Sequence, residues 1–398
     1  MNASRSAARR GFLASLALGA GLLLSGCLSP FSEAPPANVG RAEPLAPSES
    51  LGAGSVKIAL ILPLSGAGQG AAAAASMRNA AELALEEFQD PDIALIVKDD
   101  MGTAEGARAA AQSAIDEGAE LILGPLFAAA VEAAGSVARM SNVPVIAFST
   151  DVTVASRGVY LMGFLPQNEV TRVIEHAVQQ GRRSVAALIP ETVYGNVVEA
   201  QFREVAAQRG LRVAAVERYP AGQPQAAIGR LSSVIGGSAP QADTLFLPES
   251  PDAMPAVAQA LQASGFDPAR VKPIGTGVWN DPSVLGLPAL QGGWFAAPEQ
   301  GGFQSFAQRY QARYGSQPVR IATLAYDAVS LAAALTRTQG SQRFAESVLT
   351  NPSGFAGADG VFRFRPDGGN DRSLAVLEVR NGSAVAVSPA PRALVGGS

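Results

Sequence analysis

Two residue types are nearly missing from this chain: among 398 residues there is one cysteine, Cys27, and one histidine, His176. A lone thiol makes no intramolecular disulfide, and no cluster of cysteines and histidines has the spacing of a metal site. His176 falls on an expected helix beside Arg172 and Gln179, away from the face of Val170, Ile174 and Ala177, which predicts a solvated side chain rather than a general base. No G-x-S-x-G turn exists to expose a nucleophilic serine. The acid pairs Glu86-Glu87 and Asp99-Asp100 read as solvent-facing, although two carboxylates converging from distant loops, as in a glycosidase, stay open as an alternative. Charge is also scarce, 16% of residues with a formal net charge of −4, so no basic surface for nucleic acid is expected. Beyond residue 54 no stretch reaches the ~18 uninterrupted apolar residues of a spanning helix. The expectation is a non-enzymatic chain with no catalytic residues, metal or cofactor.

The amino terminus is where apolar residues do run together. Arg5, Arg9 and Arg10 form a basic start, residues 12–24 an apolar core, and Leu24-Ser25-Gly26-Cys27 a small-residue cleavage site. Those last four residues resemble the bacterial lipobox, which implies that residues 1–26 are a signal peptide and that Cys27 is acylated and anchors the protein to a membrane. Arg9-Arg10-Gly11-Phe12-Leu13 is also similar to the twin-arginine export motif, without the usual Ser or Thr before it and Lys after it. Leu28, rather than Asp, resembles the sorting rule for the outer membrane. Residues 27–54, rich in Pro, Ala, Ser and Gly, read as a flexible tether. The globular part is expected in the periplasm.

The chain is organised around residues 56–75, VKIALILPLSGAGQGAAAAA. Val56, Ile58, Leu60, Ile61 and Leu62 suit a strand covered on both faces. Pro63 ends it, and the turn through Ser65, Gly66, Gly68 and Gln69 bares backbone N–H groups at the carboxyl end, where open α/β sheets bind ligands. Gly66, Gly68 and Ala71 also fit G-x-G-x-x-A, with Asp99 and Asp100 placed where a ribose-binding acid would stand. Residues 63–65 lengthen that turn and spoil the tight approach a pyrophosphate needs. The strand, Pro-Leu-Ser-Gly turn and alanine-rich helix resemble instead the opening of type I periplasmic binding proteins, the branched-chain amino acid receptor family.

From residue 56 onward strands and helices alternate, which predicts a doubly wound α/β fold, and residues 55–398 are too many for one typical core. Met77, Ala81, Ala84, Leu85 and Phe88 share one helical face, Thr103 is placed to cap the next helix, and Gly118 to end it. The resemblance implies two doubly wound Rossmann-like lobes joined by a hinge that the chain crosses three times. It places residues 55–163 and 296–337 in the first lobe and 164–295 and 338–390 in the second. On that view residues 292–295 return the chain to the first lobe, and the short strands near 360–364 and 374–379 lie on the second.

Ligand-binding candidates lie in the loops at strand carboxyl ends: Ser65, Gln69, Phe127, Ala128, Ser149, Thr150, Tyr194, Glu249, Thr276 and Trp279. In amino acid receptors of the resembled family the second of these loops carries hydroxyls for the ligand's carboxylate and amine. Here it reads Gly124-Pro125-Leu126-Phe127-Ala128-Ala129-Ala130, with methyl groups in their place. Tyr194-Gly195 matches the family's Tyr-Gly, where the ring stacks on a ligand or packs at its helix start. Glu249 and Ser250 suit a helix cap, and the stretch 276–282, with Trp279 and Asn280, a recognition loop or a helix start. Residues 275–282, 292–298 and 324–329 resemble the penicillin-binding protein activator branch of the fold, without the helical-repeat domain that the best-known activator carries ahead of it. That likeness implies regulation of peptidoglycan synthesis by contact with a penicillin-binding protein. The alternative is a substrate-binding lipoprotein that delivers amino acids or related small solutes to an ABC permease.

Overall fold

The computed structural model describes residues 49–66 and 68–394, so the lipobox, Cys27 and most of the expected tether lie outside the described residues. The first lobe is built on a six-stranded sheet. Its strands are β1 (Glu49–Leu51), β2 (Val56–Leu62), β3 (Ile93–Asp99), β4 (Leu121–Leu123), β5 (Val145–Ala147) and β6 (Val159–Leu161), in the order β1-β3-β2-β4-β5-β6. All neighbours run parallel except β1, which pairs antiparallel with β3. The last residues of the expected tether are therefore structured, because Leu51 packs against the core and Arg78 pairs with Glu49.

Helices α1 (Gln69–Glu87), α2 (Ala104–Asp116) and α3 (Ala128–Met140) cover the sheet. Met77, Ala81, Ala84 and Leu85 of α1 are buried, as their spacing predicts. The Thr103 hydroxyl caps α2 by accepting from the Gly106 N–H at 3.0 Å. On the opposite face α2 and α3 pack almost wholly through alanine and valine, and those small side chains let both helices approach the sheet closely.

The chain crosses at residues 162–165 into the second lobe. There follow α4 (Pro166–Gln179), β7 (Ser184–Pro190), α5 (Val193–Gln208), β8 (Arg212–Tyr219), α6 (Gln225–Ile235), β9 (Thr244–Phe246), α7 (Met254–Ala263), β10 (Lys272–Gly275), α8 (Pro282–Leu285) and β11 (Trp294–Ala297). Two corrections arise here. His176 is only 3% exposed, its ring edge-on to Trp294 with the ring centroids 4.8 Å apart, because β11 packs over the helix face that the local pattern left to solvent. Its pKa is lowered by burial, and further by Arg172. Residues 292–295 do not return to the first lobe either: β11 pairs parallel with β10 and so lies inside the second sheet.

The return falls at residues 298–299, leading to α9 (Gln300–Tyr314) and α10 (Ala322–Thr338) on the first lobe. The chain then stays there longer than expected. After α11 (Glu346–Leu349), a small sheet of β12 (Phe355–Gly357), β13 (Gly360–Phe364) and β14 (Asn370–Arg372) sends Phe362 and Phe364 into the first lobe's core beside α10. Residues 338–372 thus belong to the first lobe, against the expected boundary at 337. The third crossing is at 373–374, after which β15 (Ala375–Arg380) and β16 (Ser383–Ser388) complete a seven-stranded sheet ordered β16-β15-β11-β10-β9-β7-β8. The first and third crossings are tied by polar contacts. Asn370 Nδ2 donates to the Leu161 and Gly163 carbonyls at 2.8 and 2.9 Å, and Arg372 Nη2 donates to the Met162 carbonyl at 2.7 Å.

Candidate functional site

A cavity of about 710 Å³ opens between the lobes, next to the crossings. The first lobe lines it with Thr150 from the loop after β5, Phe164 from the first crossing, Phe303 and Gln304 of α9, and Arg320 just before α10. Facing them are Glu169 of α4, Tyr194 at the start of α5, and Gly277, Val278 and Asn280 from the turn after β10. Other depressions, of about 430 Å³ beside β1 and about 600 Å³ around Arg139 and Arg157, lie on the first lobe alone.

Each polar group in the cavity has a definable state. Arg320 holds Asp359 through both terminal nitrogens, at 3.0 and 2.6 Å, and its guanidinium carbon sits 4.8 Å from the Phe164 ring and 4.7 Å from the Phe303 ring. Asp359 is fully buried and also accepts from the Thr323 hydroxyl at 2.5 Å. The guanidinium is thereby neutralised on one side and sandwiched by phenyl faces on the others. Glu169 accepts one hydrogen bond, from the Gly277 N–H at 2.9 Å. Burial pushes this carboxyl up to about 7, opposed by the Gly277 N–H and by the charge of Arg320. The missing side chain at Gly277 lets the Glu169 carboxylate approach its backbone, since a Cβ there would stand 2.6 Å from Glu169 Oε1 and displace it. The Tyr194 hydroxyl bonds Thr276 Oγ1 at 2.5 Å, and its pKa is raised mainly by burial.

The sequence candidates divide accordingly. Thr150 and Tyr194 line the cavity, and Thr276 stands behind Tyr194 as its hydroxyl partner. Trp279 does not face the cleft: it is fully buried in the second lobe, its indole N–H donating to the Leu247 carbonyl at 2.9 Å. Glycine makes that possible, because a Cβ at Gly275 would lie 2.1 Å from the indole. Glu249 is likewise buried, accepting from the Tyr219 hydroxyl and the Ser250 N–H, and caps no helix. Ser149 is buried and accepts from the Asp151 N–H.

Ser65, Gln69, Phe127 and Ala128 sit at the first lobe's carboxyl edge outside the cavity. The exposed Phe127 ring lies over Gly70 and Gly102, beside Met101, which is half exposed and held in the left-handed region at φ 55°. Across the cleft Val193 is 82% exposed, so apolar side chains mark both lips.

Sequence reasoning missed Phe164, Glu169, Phe303, Gln300 and Arg320. Glu169 carried a local signal, an acid one residue before the apolar Val170 in the first turn of a helix. Arg320 carried none, since its partner Asp359 is 39 residues away.

Two α/β lobes, three crossings and a cavity between them define a hinged ligand-binding protein in architecture. A sequence model described as periplasmic binding protein matches residues 55–384, and the chain belongs to that family. Membership carries an extracytoplasmic location, and its members bind ligands rather than transform them. No curated protein matches the chain.

Solved structures align over nearly their whole length. A protein described as a branched-chain amino acid ABC transporter from Rhodospirillum rubrum shares 23% identity at TM-score 0.74, covering 83% of this chain and 99% of its own. A leucine-binding protein from Thermotoga maritima shares 22% at TM-score 0.59, covering 84% of this chain and 98% of its own. An ABC transporter solute-binding protein from Rhodopseudomonas palustris, in complex with 3,4-dihydroxybenzoic acid, shares 21% at TM-score 0.61, covering 84% and 96%. These likenesses extend the shared fold to relatives with different ligands.

Proposed function

We propose that this protein captures a small organic solute between its lobes and delivers it to an ABC permease, from a lipid anchor at Cys27. The observation that carries this reading is the interlobe cavity, whose walls come from both lobes and combine three aromatic rings with a buried acid and a compensated arginine. A ligand touching both walls binds one relative position of the lobes better than others, and so shifts the hinge equilibrium. Family membership and the solute-binding relatives support it.

The test is a thermal-melt screen against amino acids, aromatic acids and amides, followed by small-angle scattering with any hit. A ligand at one hundred times its Kd adds about 2.7 kcal/mol to folding stability. The expected result is a raised Tm together with a smaller radius of gyration. Loss of both in Tyr194→Ala would locate the ligand in this cavity. Anchoring is tested separately: Cys27→Ser should release the protein from the membrane fraction, and fractionation of the native protein assigns inner or outer membrane.

A second reading, regulation of peptidoglycan synthesis through a penicillin-binding protein, draws support from the exposed Met101, Phe127 and Val193 on the cleft lips. Crosslinking in cells and recovery of a synthase, with no solute altering the melt, would favour it.

A further inference from the structure

Granted the solute-capture reading, on which this inference rests, the two charged groups on the walls of the interlobe cavity differ in one respect: Arg320 has a counter-ion and Glu169 has none. Arg320 keeps its Nε–H free, but its charge is balanced by the two-pronged contact with the fully buried Asp359. Glu169 is 8% exposed, and Oε2 accepts its one hydrogen bond, from the Gly277 N–H. Oε1 stands on the cavity wall without a lysine, arginine or histidine partner among the described residues.

A carboxylate taken out of water needs a positive partner to offset its lost hydration, and a single amide N–H supplies only part of that. Without such a partner it holds its proton more tightly, and burial accordingly raises this carboxyl to about 7 against the opposing effects of the Gly277 N–H and Arg320. The Tyr194 ring lines the same wall, and its hydroxyl pKa is raised first by burial and then by the neighbouring Glu169 charge. Whereas the Phe164 and Phe303 rings already carry the Arg320 guanidinium at 4.8 and 4.7 Å, the Tyr194 ring holds no cation among the described residues. An aromatic ring beside an unpaired carboxylate suits an ammonium or guanidinium group. Pro166, Val278, Ala297 and Pro298 supply apolar wall for the rest of a solute.

We infer that the solute carries a protonated amine or guanidinium that seats on Glu169 Oε1 beside the Tyr194 ring, and that it is a net cation with an apolar body in preference to a zwitterion. A carboxylate on the same solute would share Arg320 with Asp359, whereas a positive group meets Glu169 with no rival.

The experiment compares four charge forms of one body by calorimetry and thermal melt: phenethylamine (cation), phenylalanine (zwitterion), phenylpropionamide (neutral) and phenylpropionate (anion). A parallel isobutyl set uses isopentylamine, leucine, isocaproamide and isocaproate, with isopentylguanidine added. The expected result is the tightest binding from the cations, with a loss of about tenfold or more in Glu169→Gln, which keeps an acceptor for the Gly277 N–H and loses the charge. A second readout needs no substitution. At about pH 6 the native carboxyl is largely protonated, so a cation seated on it displaces a proton, and the heat of binding should change with the ionisation enthalpy of the buffer. Arg320 and Tyr194, which face Glu169, keep their protons at that pH, so the released proton is assigned to Glu169 and should disappear in Glu169→Gln. A zwitterionic, neutral or anionic compound as the tightest binder, in these sets or in the wider screen, overturns the ligand class while leaving solute capture standing. So does a cation that binds Glu169→Gln as tightly as the native protein. Silence from every compound in the wider screen removes the solute-capture reading itself, and this inference with it.

Discussion

Glu169 and Asp327 are buried acids, and burial raises each to about 7. In the unfolded chain they titrate near 4. Between those values the unfolded state sheds protons that the native state keeps, so stability falls as pH rises from about 4 to 7, and the loss is complete above 7. For shifts of this size the loss is on the order of 3–4 kcal/mol per group, an upper bound once local relaxation is allowed. Glu169→Gln should therefore melt higher than the native chain at pH 8 and level with it near pH 4; parallel melting curves from pH 4 to 9 would refute the assignment. Gly275→Ala forces a methyl into the Trp279 ring and should cost about 1–3 kcal/mol in urea titrations, with the Trp279 fluorescence altered. At this scale the sequence was legible where partners are near in the chain, as with Thr103 and its cap. It was silent where they are not: the inward turn of Trp279 depends on a bare Gly275 and on the Leu247 carbonyl, 32 residues away.

Strands and helices were readable as elements because their apolar periods are local properties of the chain. Their neighbours were not. Whether residues 294–297 join the first or second sheet depends on pairing with β10 and β15, which no period encodes. The same holds for β13, whose Phe362 and Phe364 would suit either core by composition. Within the hinge, β14 carries the decisive polar contact. Asn370→Ala removes the donor to the Leu161 and Gly163 carbonyls and the partner of Asn168, leaving buried carbonyls unpaired at about 1–3 kcal/mol each. The expected outcome is a lower urea midpoint and a broader distribution of lobe separations by scattering. An unchanged distribution would mean that the crossings hold their geometry without it. A gentler change, Thr103→Ala, should cost about 1 kcal/mol by loss of the α2 cap, with no effect on the hinge.

For the whole molecule, the two cores are interleaved along the chain. The first sheet is covered on one face by α1 together with α10, whose Leu324, Ala328, Leu331 and Leu335 are buried there. A fragment ending at residue 297 lacks that cover and should behave as a partly folded species that binds an apolar dye, with no cooperative thermal transition. A sharp melt for that fragment would show that α10 is dispensable. The strand Ala375–Arg380 is equally needed beside β11, where it pairs over four residues.

That late pairing bears on how the protein is made. While the amino-terminal strands wait for α10, and the second sheet waits for Ala375–Arg380, a growing chain displays apolar surface from both unfinished halves until those residues have been made. A polypeptide of this kind completes its two cores together, so cells short of the chaperones that shield an unfinished chain should lose it to proteolysis sooner than proteins whose domains are each encoded in one continuous stretch.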